Sequence, residues 1–277
     1  MNFFKKLLDS LRSPATPALR VEPQIQAFHK LVDIGELNEA EASNLAARLA
    51  GEACLDRHWH SVGTVERDVI AYMISPSFRG GPDWPSTRQA YRVVRRGDSI
   101  LLATDGLSDP FDGVEGMGNG FEMELFMETA DIPKHARGAL GEVDPLKNSW
   151  AFELLEHVAK TVADAGGVTE RLDQYGTLSL EIPGFSLSHH MSDQLPRNFV
   201  TEDDCTGVLL GAPEPDFPTR VDDMPLSPVR LVPMVLITAS ELQYVRTGGR
   251  AAREDLVSRL NAAGIGHMSN LNRASVV

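Results

Sequence analysis

With 277 residues, 42% of them hydrophobic and 23% charged, the chain has a globular protein's composition and enough length for one large domain or two ordinary ones. A formal net charge of -13 speaks against a general nucleic-acid binder, which would carry a basic face, and no run is apolar and long enough to span a bilayer. Cys54 and Cys205 stand in no ligand-like spacing and no apolar signal core follows Lys5 and Lys6, so a cytoplasmic protein with free thiols is expected.

In chain order, Phe3, Phe4, Leu7, Leu8 and Leu11 share one helical face, so residues 1–12 read as an amphipathic terminal helix, followed by a Pro-rich linker. It is expected to dock on the body or fray, with a membrane-surface anchor as the alternative. Residues 1–20 are assigned to this helix and linker, and 21–64 to a helical segment. In that segment Ile25, Phe28, Leu31 and Val32 predict one helix. Asn38 and Glu41 form a capping box before an Ala-rich helix running to Leu55. Residues 65–277 form the main domain. Strands are predicted at 69–74, 91–95 and 99–102, the last two joined by a Gly97-Asp98 turn. Residues 121–128 alternate apolar and acidic, a strand with one solvated face. An amphipathic helix spans 150–163. Strands follow at 177–182, 206–210 and 229–238, and helices begin at Glu241 and Arg250, the last stopped by Gly264. The order of elements predicts an α+β fold of mixed β-sheets flanked by helices, in two lobes divided near residues 165–185.

The stretch Thr104-Asp105-Gly106-Leu107-Ser108-Asp109 ends an Ile/Leu-rich strand at an acid-lined corner. Two resemblances compete for it. With the preceding strand, Thr104-Asp105-Gly106 resembles the Asp-Gly metal motif of type 2C phosphatases, in which an Asp at a strand end holds a metal that activates water. Asp203-Asp204-Cys205-Thr206 echoes a late motif of that family. Its upstream carboxylate motifs are missing, so a two-metal site cannot be assembled.

The second resemblance covers far more of the chain. Gly106-Leu107-Ser108-Asp109, a glycine-rich gap, Gly120-Phe121-Glu122-Met123-Glu124-Leu125 and a helix opened by Trp150 come in sequence. Gly207-Val208-Leu209-Leu210, a strand–helix unit holding Pro233 and Glu241, and Asn272-Arg273-Ala274-Ser275-Val276 complete the series. This order resembles the Suppressor of Fused domain, of the bacterial type. The resemblance implies a non-enzymatic protein- or peptide-binding module. Animal members hold a Gli transcription factor peptide as an added strand between two lobes, and bacterial relatives are thought to act as immunity proteins against toxins. An acidic chain would suit a basic toxin.

The candidate partner-binding residues are Trp84, Asp105, Ser108, Asp109, Glu122 and Glu124. Trp84 reads equally as an exposed anchor or as a plug at the core edge. The two aspartates would fix the corner by accepting backbone N–H bonds. Glu122 and Glu124 would line an acidic stripe or a merely wet strand face. Ser108 lacks the Gly-x-Ser-x-Gly setting of a nucleophile. His58-Trp59-His60 and His189-His190 have no partners at metal-ligand spacing. No catalytic residue, metal site or cofactor is expected.

Overall fold

A computed structural model describes residues 38–72, 75–81 and 83–277. The sequence expectations for residues 1–37, and for Met73, Ile74 and Pro82, fall outside this range.

Asn38 caps the first described helix, α1 (Glu39–Val62). Its side chain accepts from Glu41 N at 2.9 Å and its own N–H donates to the Glu41 carboxylate at 2.9 Å. The capping box was legible in the sequence, but the helix runs one and a half to two turns past Leu55. Two short strands follow, β1 (Thr64–Val65) and β2 (Ile70–Ala71), less than the predicted strand at 69–74. Then come β3 (Ala90–Arg96) and β4 (Ser99–Asp105), a hairpin turned at Gly97 and Asp98, and β5 (Met123–Thr129). Helices α2 (Lys134–Arg137), α3 (Trp150–Asp164) and α4 (Thr169–Tyr175) lead to β6 (Leu178–Pro183). The chain continues through α5 (His190–Gln194), β7 (Cys205–Leu210), β8 (Arg220–Val221) and β9 (Val229–Ile237) to α6 (Ala239–Ala262). A left-handed break at Gly249 (φ 58°) splits α6 into the two helices expected from sequence.

The strands form one mixed sheet of nine, in the order β1-β3-β4-β5-β9-β7-β6, with β2 beside β3 and β8 beside β9. Strand β9 joins two half-sheets. Arg230–Pro233 runs parallel to Met123–Phe126 of β5, and Met234–Ile237 runs antiparallel to Gly207–Leu210 of β7. Pro233 sits between the residues of β9 that pair with β8 and those that pair with β7, where its missing N–H costs no ladder bond.

Helix α3 covers one face of the sheet. Phe152, Leu155, Val158 and Val162 pack over Tyr91, Ile100, Leu102, Met123, Leu125 and Met127. The other face is shared. Leu55 and Trp59 of α1 cover the β4–β5–β9 region with Phe126 and Leu231, and Leu242, Val245, Leu256 and Leu260 of α6 cover β7 and the end of β9. With helices on both faces, β5 has no wet side. The expected solvated face holds for Glu122, which precedes the strand and is exposed, but Glu124 and Glu128 are buried. Helix α1, distant in sequence, removes that face from water.

Candidate functional site

Strand β4 delivers Thr104 and Asp105 to its buried end, and the corner that follows alternates between two sets of partners. Thr104 and Ser108 point at Glu124 of β5. The Thr104 hydroxyl donates to Glu124 Oε2 at 2.5 Å, while the N–H groups of Gly106 and Ser108 donate to Oε1 at 3.0 and 2.9 Å. The Ser108 hydroxyl adds a bond of 2.6 Å. Asp105 and Asp109 instead hold arginines. Arg88 Nη2 lies 2.8 Å from Asp105 Oδ1 and 2.9 Å from Asp109 Oδ1, and its Nε lies 3.0 Å from Asp109 Oδ2. Arg92 bridges Asp105 Oδ2 at 3.0 Å to Asp56 of α1 at 2.5 Å. Ser86 Oγ donates to Asp109 Oδ2 at 2.7 Å.

Two glycines make the corner tight. A Cβ on Gly106 (φ 145°) would sit 2.6 Å from the Arg88 carbonyl oxygen and 3.1 Å from the Trp84 ring. On Gly120 (φ 51°) it would meet the carbonyl oxygens of Leu107 and Asp109 at 2.5 Å.

The electrostatics follow from these contacts. Burial pushes the Asp105 carboxyl up, but the charges and hydrogen bonds of Arg88 and Arg92 outweigh it and hold the group well below the usual carboxylate range. Glu124 has no cation against it. Burial and then the charge of Asp105 raise its pKa, and the bonds from Ser108, Thr104 and Gly106 only partly offset them.

Of the six candidates, Asp105, Ser108, Asp109 and Glu124 converge here, all at most 5% exposed. Trp84 is also buried, edge-on to Tyr91 at 5.8 Å, which is the core-edge plug and not the exposed anchor. Glu122 alone presents its side chain to solvent. The expected backbone N–H bonds are present, but Glu124 accepts them and the aspartates take the arginines. Sequence reading missed Arg88 and Arg92, since only the fold brings them to the corner. Both Asp105 oxygens are engaged by guanidinium groups, which leaves the phosphatase reading without support. Among the described residues no group of three or more His, Cys, Asp or Glu is placed to hold a metal. The rings of His189 and His190 lie 4.5 Å apart, tilted by 60°, and their backbone N–H groups donate to Glu153.

A second buried carboxylate network lies four residues further along β5. Glu128 accepts from Arg96 Nη1 at 2.6 Å, from the Ser99 hydroxyl, and pairs with His267 Nε2 at 2.8 Å. Burial raises its pKa, but the bonds from His267, Ser99 and Arg96 prevail and lower it. A third pair, Arg273 with Glu241, is two-pronged at 2.5 and 2.6 Å and buried at both ends.

An α+β sheet clasped by helices on both faces, with a Gly-Leu-Ser-Asp corner locked onto the next strand, defines the class of protein. A family model for Suppressor of fused protein (SUFU) matches residues 92–274, and the chain belongs to that family. Among solved structures, one described as the Sufu-Fu complex is similar at 16% identity and a TM-score of 0.45, over 81% of this chain and 89% of that one. Drosophila Suppressor of Fused is similar at 14% identity and a TM-score of 0.36, over 76% of this chain and 42% of its own length. No curated protein matches the chain. Among the described residues, no helix is long and apolar enough to cross a membrane.

Proposed function

We propose that the chain is a non-enzymatic protein-binding module that accepts an extended segment of a protein partner, and that it acts in the cytoplasm as an immunity protein neutralising a basic toxin. Membership of the Suppressor of fused family carries this reading. Strand addition suits a sheet whose two halves part along one strand, because main-chain hydrogen bonds supply affinity and alternate side chains supply specificity. The formal charge of -13 favours a basic partner and would speed encounter. Of the candidate residues Glu122 is the exposed one, which supports it as a partner contact. The buried members of the corner act through the shape they impose on β4 and β5.

The test is co-expression of the full chain with the proteins encoded beside its gene. The expected result is a stable complex with one of them that weakens as salt rises, together with protection of cells that this protein otherwise kills. A complex without protection would remove the immunity role. Absence of any complex, or manganese-dependent hydrolysis of a phosphoester by the purified chain, would overturn the binding reading.

A further inference from the structure

Beyond Phe126 and Pro233 the strands β5 and β9 part, because β9 turns to pair with β7. The chain's own C-terminal segment lies in the notch between them. It leaves α6 through a turn at Gly264 and Gly266, turns again at Leu271 and Asn272, and is alternately buried and open from His267 to Arg273. His267, Ser269 and Arg273 face inward at 9%, 0% and 8% exposure, and Leu271 packs on the core. Asn270 and Asn272 face out.

The segment is held differently from a strand. Its ladder contact is a single parallel bridge, Met268 to Glu128, with Ser269 N–H donating to the Glu128 carbonyl at 2.9 Å. On the β9 side no backbone pairing replaces β5. Leu236 N–H donates to Ser269 Oγ at 3.1 Å, and the Leu236 carbonyl accepts from Arg273 Nη2 at 3.3 Å. The remaining ties run to carboxylates of the body. His267 pairs with Glu128, Leu271 N–H donates to Asp131 at 2.7 Å, and Arg273 forks onto Glu241. The β9 edge therefore offers one N–H and one C=O at Leu236, and side chains satisfy both.

We infer that residues 267–273 are a self-supplied occupant of this notch, and that an extended partner segment carrying an arginine competes with them for Asp131, Glu241 and the Leu236 edge. The inference rests on the binding reading above and adds its regulation. A segment tethered by a short turn works at a high effective concentration, so it sets a threshold that a weak competitor does not cross. A segment tied by a few side chains and one bridge opens without unzipping the sheet. The competitor that fits has the tail's spacing: a hydroxyl residue, then an apolar residue two positions on, then arginine two further.

Two measurements test this, and neither needs another protein, so failure here is separate from failure of the immunity reading. The first is hydrogen exchange on the full wild-type chain. The amides of Ser269 and Leu271 should exchange by local opening, at least about a hundredfold faster than those of β9. The second is fluorescence polarisation with a labelled synthetic peptide of residues 265–277. The Arg273→Ala chain should take up this peptide at least about tenfold more tightly than wild type, because its own tail is loosened while the peptide keeps the arginine. If Arg273→Ala does not fold, Ser269→Ala, which frees the tail from the Leu236 N–H and leaves the Glu241 pair intact while the peptide keeps its serine, serves in its place with the same expectation. Tail amides that exchange only as fast as β9, or a folded variant that binds the peptide no better than wild type, would overturn the inference.

Discussion

Glu124 and Glu128 stand four residues apart on one buried face of β5, yet their surroundings are opposite. Glu124 meets only hydroxyl and backbone N–H donors from a single short corner. Glu128 meets Arg96, Ser99 and His267, which come from β3, β4 and the C-terminal segment. Burial raises both, and neighbours decide the outcome: Glu124 stays raised and Glu128 ends lowered. A buried carboxylate with neutral donors shapes local backbone. One with cations ties together distant parts of the chain.

The sharpest way to break this comparison is to attack the charges beside Glu124. Asp105→Ala takes the carboxylate that Arg88 and Arg92 share, leaving them Asp109 and Asp56, and should cost about 4 kcal/mol by urea denaturation. Next comes Glu128→Gln, expected to cost about 3 kcal/mol at neutral pH because Arg96 and His267 lose their shared anion. Glu124→Gln should cost less, about 1–2 kcal/mol, since no cation is stranded. Ser108→Ala, which removes one of the donors, should cost about 1 kcal/mol.

The two glutamine variants also differ in pH dependence. The folded pKa of Glu124 is raised, so its contribution is fullest below its ordinary 4.5 and declines as pH rises through the elevated folded value. That of Glu128 is lowered, so its contribution is full above 4.5 and is lost as pH falls through the depressed value. Denaturation from acid to neutral pH should show the deficit of Glu124→Gln narrowing as pH rises and that of Glu128→Gln widening. Parallel trends would mean that the two sites share one electrostatic environment.

Much of the fold was legible in the sequence because it is local. The Asn38 capping box, the Gly97-Asp98 hairpin, the amphipathic helix after Ser149 and the break at Gly249 each follow from a few neighbouring residues. The corner was legible as a motif but not as a mechanism. Its ring of partners, Arg88, Arg92, Asp56 and Glu124, is assembled from the loop before β3, β3 itself, α1 and β5. The alternation in β5 was misleading for a physical reason. Period two marks which residues share a face, and it cannot say whether a helix far away in sequence will cover that face. Helices α4 and α5 are too short to show a periodic signal.

The position of β9 has a consequence for synthesis. It lies near the C-terminus in sequence and at the centre of the sheet in space. Until Val229–Ile237 has left the ribosome, β5 has an open edge and β7 lacks its inner neighbour. Most of the chain must therefore be made before either half-sheet can close. Such long-range closure is slow and exposes apolar edges in the meantime. A nascent chain stalled before β9 would be a natural client for a chaperone.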